Sequence, residues 1–220
     1  MKGMILYMTK QNAKKIIEIL QKTYPDATCS LDFTTPFEMV VAVMLSAQCT
    51  DERVNKTTPK LFSRCKTIED YANIDIKELE KIIHPCGFYK NKAKNIKLCA
   101  KQVLDNYNGI VPNNMDDLLT LAGVGRKSAN VILLEVYGIA NGIAVDTHAK
   151  RISNLTGLSK EKEPEKIEKD LLKLIPKDYL AFVNHLFVWH GRNTCIARKP
   201  KCDSCTIKNF CEFQKNKSGH

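Results

Sequence analysis

Lys127 occupies a position where its chemistry would be unusual, in the segment LAGVGRKSANVILLEVYG at residues 121–138. The residue falls in the first turn of a predicted helix, beside Arg126, where unpaired backbone N–H groups disfavour a cation. That environment favours the neutral amine, which is the nucleophilic form of lysine. The position therefore suits an amine that attacks an electrophilic carbon. One surface lysine among many in a basic chain is the alternative that this residue alone leaves open.

The glycine-rich turn ahead of that lysine predicts a phosphate-binding hairpin between two helices. Gly123 and Gly125, which flank Val124, have no Cβ, so the hairpin can adopt positive φ angles and another backbone can come very close. The N–H groups of the turn and of the next helix would then point outward, where the helix dipole favours an anion. A tight corner whose glycines serve only packing is the alternative.

Four cysteines near the C-terminus have the type and spacing of metal ligands. They follow the pattern C-x6-C-x2-C-x5-C, as Cys195, Cys202, Cys205 and Cys211. Four thiolates suit either zinc or an iron–sulfur cluster. Zinc sites built from four cysteines usually contain two Cys-x-x-Cys pairs, and this segment contains one.

The first two of these cysteines enclose a basic loop that contains Arg198, Lys199 and Lys201. A metal centre would fix both ends of the loop, so the entropy of ordering it would not oppose the binding of a ligand. Such a loop suits contacts with phosphates. A solvated basic loop without a ligand is the alternative.

The composition is that of a compact chain with a basic surface. The 220 residues are 44% hydrophobic and 26% charged, without a signature of disorder. A net charge of +10 favours a polyanionic partner, with a solvated lysine-rich surface as the alternative. No apolar run approaches the roughly 20 residues of a membrane span, and the N-terminal MKGMILYMTKQ has no signal-peptide pattern. Five further cysteines are scattered singly, which suits reduced thiols in the cytoplasm.

Helical patterns run through the chain, and no segment shows the alternation of a strand. Thr35-Pro36-Phe37-Glu38 has the residues of a capping box and predicts the start of a buried apolar helix, PFEMVVAVMLSAQ. Asp75, Asn114 and Asp146 are predicted to cap three further helices. Other helices are predicted for the segments KAKNIKLCAKQVLDNY, RKSANVILLEVY, KIEKDLLKLI and YLAFVNHLFVWH. The fold class that follows is all-α.

The motifs together resemble those of the endonuclease III family of helix-hairpin-helix DNA glycosylases. LAGVGRKSAN resembles the hairpin signature of that family, and AVDTHAKR resembles its catalytic aspartate segment. LSAQCTD at residues 45–51 and the four C-terminal cysteines match as well, in the same order along the chain. The sequence departs from the family at Ala122, where relatives usually carry proline, and at Phe88, where they usually carry leucine.

The resemblance implies a base-excision-repair enzyme that removes damaged bases, oxidised pyrimidines in the family, and then cleaves the abasic site. Lys127 would form a Schiff base with a flipped-out deoxynucleotide, and Asp146 would be its carboxylate partner. β-Elimination of the 3′ phosphate would then cut the strand. Adenine-specific mismatch glycosylases lack the lysine and therefore fit less well. A metal-stabilised DNA-binding module without catalysis is the competing class.

The resemblance also assigns the DNA contacts and the cofactor. Gln48 and Phe88 would enter the duplex, Gln48 facing the orphaned base, with a core role as the alternative for Phe88. The hairpin residues 123–125 and the basic loop would hold phosphates. The four clustered cysteines would hold a 4Fe-4S cluster.

The same resemblance implies two lobes with DNA held in the cleft between them. Residues 30–142 would form a six-helix domain that ends in the helix-hairpin-helix, and residues 1–29 with 143–220 would form an iron–sulfur cluster domain. Lys127 and Asp146 would then lie on opposite lobes. The expected protein is a monomer of the cytoplasm, associated with the nucleoid and not with a membrane. Its partner would be double-stranded DNA that contains damaged bases or abasic sites.

Overall fold

A computed structural model describes residues 8–217 of the chain. Residues 1–7 and 218–220, which the predicted domain bounds include, lie outside the described part. Within the described part the chain is helical and contains no strand, so the prediction of an all-α fold is confirmed. No helix there is long and apolar enough to cross a membrane.

The α-helices in chain order are α1 (Lys10–Thr23), α2 (Pro36–Ser46), α3 (Asp51–Arg64), α4 (Ile68–Asn73), α5 (Ile76–Ile83), α6 (Tyr89–Tyr107), α7 (Met115–Thr120), α8 (Arg126–Tyr137), α9 (Thr147–Thr156), α10 (Pro164–Leu174), α11 (Leu180–Asn193) and α12 (Glu212–Lys217). Short 3₁₀ turns lie at His84–Cys86, Lys177–Tyr179 and Lys208–Phe210.

The helices divide into two compact units. The helical unit, Cys29–Ile139, contains α2 to α8. The terminal unit contains α1, which ends before Thr28, and the described residues from Ala140 onward. Each unit has its own hydrophobic core.

Helix α2 is the buried centre of the helical unit. Its capping box is complete, because the Thr35 hydroxyl accepts from the N–H of Glu38 at 3.2 Å and the Glu38 carboxylate accepts from the N–H of Thr35 at 3.2 Å. Every residue from Phe37 to Leu45 is buried. A helix that is apolar on all sides must be surrounded by other elements, and α3, α6 and α8 all pack against α2.

Side-chain caps begin half of the helices proposed from the sequence. Asp75, Asn114 and Asp146 accept backbone N–H bonds at the starts of α5, α7 and α9, as predicted. Helix α6 begins at Tyr89, three residues before the predicted segment, because Phe88 in a left-handed conformation sets its start.

Two helices of the helical unit were missed. Helix α3 is polar and contains Pro59, a residue that disfavours the interior of a helix, although Thr50 caps it. Helix α4 has only six residues, but Thr67 and Asp70 form a capping box that marks its start.

The terminal unit packs α9 and α1 against α11, around Phe187. Phe187 is fully buried, as are Ile16 and Ile17 of α1. The buried carboxylate of Glu168 on α10 accepts the N–H of Ile143 at 3.2 Å. The segments that precede and follow the helical unit in the sequence thus share one hydrophobic core.

Candidate functional site

The hairpin between α7 and α8 is built on one glycine with positive φ. Gly123 has a φ of +79°, and a Cβ at that position would come 3.0 Å from Cβ of Asn95 on α6. Gly125 has a φ of −99° and a ψ of 175°, which is extended backbone, and a Cβ there would meet nothing within 4 Å. The hairpin therefore uses the positive φ that glycine permits at Gly123, whereas the backbone of Gly125 is extended and leads directly into the first turn of α8.

Gly125 is the N-cap of α8 but offers no side-chain hydrogen bond to it. The helices on either side along the chain, α7 and α9, each have such a bond, from Asn114 and Asp146. A helix start without a capping side chain keeps its N–H groups for an external acceptor, and an anion is the acceptor that the helix dipole favours. This geometry suits a phosphate beside the hairpin.

Lys127 is the second residue of α8 and is exposed. The buried side of α8 is formed by other residues, among them Ala129, Ile132 and Leu133. The lysine is therefore not a core residue, and its amine is accessible at the helix end that carries the hairpin.

Asp146 belongs to the terminal unit and caps α9. Its Oδ1 atom accepts the N–H of Ala149 at 2.7 Å, which confirms the predicted cap. Asp146 is partly exposed, so one carboxylate oxygen can cap the helix while the other contacts a ligand.

Gln48, Phe88 and Gly123 line one surface cavity of the helical unit, the Gln48–Phe88 pocket. Its lining comprises Met44, Ala47, Gln48, Phe88, Asn91, Lys92, Asn95 and Gly123. Phe88 is 64% exposed, so the alternative of a core role for this aromatic is wrong. No sequence pattern indicated that Lys92 and Asn95 of α6 would share the pocket.

The four clustered cysteines line a second cavity, which lies in the terminal unit. All four are free thiols, each partly buried. Burial raises the pKa of Cys195, Cys205 and Cys211, so bare thiolates are disfavoured there and a cationic centre would have to compensate them.

The chemistry of this donor set suits a metal centre. The four thiols line one cavity, and four thiolates in one place bind either a zinc ion or an iron–sulfur cluster.

Arg151 holds the start of the cysteine segment. Its Nη2 atom donates to the carbonyl oxygens of Cys195 at 2.7 Å and Gly191 at 3.1 Å, and its Nε atom donates to Cys195 at 3.2 Å. The sequence analysis missed this arginine, because no spacing connects a residue of α9 with a carbonyl 44 positions away.

His190 is a second contact that the sequence analysis missed. The side chain is buried, with Nε2 3.7 Å from Sγ of Cys205 and Nδ1 3.1 Å from the Tyr24 hydroxyl. Burial lowers the pKa of His190 to about 4, so the ring is neutral near pH 7. It therefore joins the end of α1 to a clustered cysteine without adding a charge.

Two family models match the chain. Residues 41–177 match the HhH-GPD superfamily base excision DNA repair protein, and residues 195–211 match the iron-sulfur binding domain of endonuclease III. The second match spans the four cysteines, so the predicted 4Fe-4S cofactor is confirmed.

Curated relatives cover nearly the whole chain. Endonuclease III of Synechocystis sp. is 50% identical over 203 residues, which is 92% of this chain and 92% of that protein. Endonuclease III of Escherichia coli (strain K12) is 40% identical over 207 residues, 94% of this chain and 98% of that protein.

Two solved structures of endonuclease III with DNA have the same fold. A non-covalent complex is 40% identical with a TM-score of 0.90, covering 96% of this chain and 99% of that one. A trapped covalent intermediate is 41% identical with a TM-score of 0.90 and the same coverage. These matches confirm the predicted helix-hairpin-helix glycosylase fold.

Proposed function

The chain belongs to the endonuclease III family, and from that membership we propose that Lys127 carries out its catalysis on damaged double-stranded DNA. Family membership confirms the predicted base-excision-repair function, a DNA glycosylase with abasic-site lyase activity. The proposal adds the residues, the lesion class and the order of steps. The observation that carries it is the exposed lysine in the first turn of α8, directly after a hairpin that suits a phosphate.

Lys127 is the proposed nucleophile. Its neutral amine attacks C1′ of a flipped-out deoxynucleotide, the bond from C1′ to the base breaks, and the base leaves with a proton. Loss of a proton from nitrogen and opening of the sugar give an imine at C1′. The imine acidifies the C2′ proton, whose removal expels the 3′ phosphate and cuts the strand. Water finally hydrolyses the imine and frees the lysine.

Asp146 is the proposed carboxylate partner. As a base, the carboxylate accepts a proton from the lysine nitrogen, and its negative charge stabilises the positive charge that develops on the sugar. The cap on α9 uses Oδ1, and the second carboxylate oxygen is the atom we assign to this role.

The DNA contacts proposed for the helical unit are Gln48, Phe88 and the hairpin at residues 123–125. The exposed side chains of Gln48 and Phe88 would fill the gap that an extruded nucleotide leaves. The uncapped start of α8 would hold a phosphate through backbone N–H groups.

Arg198, Lys199 and Lys201 are the proposed phosphate contacts of the terminal unit. All three are exposed. The N–H of Lys201 donates to the Thr194 carbonyl at 2.9 Å, which closes the loop between the first two cysteines. The four cysteines would hold the 4Fe-4S cluster, which fixes this loop in place when bound.

We further propose that the substrates are oxidised pyrimidines and abasic sites, and that the protein acts as a monomer in the cytoplasm, at the nucleoid. We also propose the predicted domains, a six-helix domain ending in the helix-hairpin-helix at residues 30–142 and a cluster domain at 1–29 and 143–220. The helical unit of the structure differs in covering Cys29–Ile139 and containing seven α-helices.

Borohydride trapping tests the proposal. A duplex with one abasic site, mixed with the holoprotein and borohydride, is expected to give a covalent protein–DNA adduct that Lys127→Gln abolishes. Lys77→Gln is the matched control, because Lys77 is also an exposed second residue of a helix, but one that Asp75 caps. An adduct that survives in Lys127→Gln would contradict the assignment. Salt-dependent binding without any adduct would favour the non-catalytic DNA-binding class.

A further inference from the structure

Gln48 and Phe88 each lie just after a helical segment and have similar backbone conformations. Gln48 follows the end of α2 by two residues, and Phe88 follows the 3₁₀ turn His84–Cys86 by two residues. Both have left-handed backbones, with φ of +54° and +47°. Within the described residues only Asn108, which ends α6, is a third non-glycine residue with positive φ. Such a conformation is strained for a side-chain-bearing residue and persists only where neighbouring contacts hold it.

Lys92 of α6 connects the two turns. Its Nζ atom donates to the carbonyl of Leu45 at 2.8 Å and to the carbonyl of Cys86 at 2.9 Å. Leu45 lies in the last turn of α2, and Cys86 ends the 3₁₀ turn. One ammonium group therefore bridges the carbonyl ends of the two segments from which Gln48 and Phe88 project.

Packing alone does not explain a lysine at this position. The residue is only 7% exposed, and burial lowers the pKa of Lys92, which reflects the cost of a desolvated cation. An apolar side chain of similar length would fill the same space without that cost. The two carbonyls gain from the charge, because the C-terminal end of a helix carries a partial negative charge and a charged donor forms the stronger hydrogen bond.

We propose that Lys92 is a positioning residue that fixes the Gln48 turn and the Phe88 turn relative to each other, so that both side chains enter the duplex together. The inference rests on the proposed function, since it takes these two side chains as the ones that fill the gap in DNA. Lys92 acts through the turns and has no part in the chemistry at C1′. Its loss should therefore slow steps that require extrusion from a duplex and spare the same chemistry on a single strand.

The first test compares two substrates with Lys92→Met. Single-turnover cleavage is measured on a duplex with one abasic site and on a single-stranded oligonucleotide with one abasic site. The duplex rate should fall roughly 10- to 100-fold, the range expected from a misplacement of about 1 Å, while the single-strand rate stays at the wild-type value. Lys92→Arg keeps the positive charge and has N–H donors for both carbonyls, so it should recover part of the duplex rate.

Lys97→Met is the matched control. Lys97 lies on the same helix and also donates to a carbonyl, that of Ile74, but it does not line the Gln48–Phe88 pocket. Its loss should change neither rate. Thermal unfolding and iron content, measured for every variant, establish that each is folded and loaded. If Lys92→Met does not fold, Lys92→Arg takes its place, with a smaller duplex loss and an unchanged single-strand rate expected.

A second test asks whether Lys92 works through the two side chains. In a Gln48→Ala, Phe88→Ala background, Lys92→Met should have no further effect on the duplex rate, because the groups it positions are gone. An undiminished effect in that background would overturn the proposal, as would an equal loss on both substrates or a duplex rate at the wild-type value. If the wild-type protein itself cleaves neither substrate and forms no borohydride adduct, the proposed function fails instead.

Discussion

Asp146 combines two roles that substitution can separate. The Asp146→Asn variant keeps an amide oxygen that can accept the Ala149 N–H bond but has no charge. Its melting temperature should stay near the wild-type value, while strand cleavage falls by roughly 100-fold or more, the scale of a lost acid–base group. Asp146→Ala should lose the same activity and also about 1 kcal/mol of stability, because the helix cap is gone.

Thermal unfolding and single-turnover cleavage of an abasic duplex check both expectations for Asp146. Wild-type cleavage by Asp146→Asn would reduce this residue to a helix cap. Equal stability of the Asn and Ala variants would show that the cap contributes little.

At the scale of elements, the two glycines of the hairpin differ in whether their positions have room for a side chain. Gly123→Ala places a methyl group 3.0 Å from Cβ of Asn95 at a φ of +79°, so it should lower stability by at least about 1 kcal/mol and weaken DNA binding. Gly125→Ala adds a methyl group in open space at an ordinary φ. Alanine is a poorer N-cap than glycine, so a small loss of stability is expected, less than that of Gly123→Ala.

Urea unfolding and titration with an abasic duplex distinguish the two hairpin variants. Because both replacements are glycine to alanine within three residues, any general effect of the substitution cancels. If the two variants lost the same amount of stability, the close contact with Asn95 would not be the cause of the loss in Gly123→Ala.

Several elements were predicted from a local signal at their start, although α3 and α4 carry such a signal and were missed. The start of α2 depends on Thr35 and Glu38, three residues apart, and the cap of α9 depends on Asp146 and Ala149. Helix α3 has a cap at Thr50 and a buried side that runs from Val54 to Leu61, but Pro59 lies inside it, and an internal proline argues against a helix.

Contacts between distant segments carry no such local signal. Lys92 bonds Leu45 across 47 positions, and Arg151 bonds Cys195 across 44. The types and spacing of Lys127 and the four cysteines indicated a nucleophile and a metal site. The residues that contact the neighbouring backbone can be identified only from the folded structure. The φ of Gly125 was likewise beyond reach, since glycine permits both signs of φ and the adjoining helix decides between them.

At the scale of the whole molecule, buried thiols make stability depend on pH in the alkaline range. Burial raises the pKa of Cys99 from 9.0 to about 12 and that of Cys65 to about 11. The unfolded chain loses these protons first, so stability is complete below pH 9 and falls as the pH rises towards 11 and 12. The loss from Cys99 alone should reach a few kcal/mol.

Urea unfolding followed by circular dichroism at pH 8, 10 and 11 measures this decline. The Cys99→Ala variant has a small cavity but no thiol to ionise, so it should begin less stable and lose less as the pH rises. Parallel declines in the variant and the wild type would show that Cys99 does not contribute.

The exposure of Phe88 also has a consequence for how copies of the protein behave in solution. Phe88 is 64% exposed, and Ile110 and Phe182 also present apolar surface at 68% and 44%. Without DNA, such surfaces favour adhesion between copies, whereas a net charge of +10 makes the copies repel one another. Salt shortens the range of that repulsion to about 8 Å at physiological strength. The charge that draws the chain to nucleic acid thus also maintains its colloidal stability, and concentrated salt weakens both effects together.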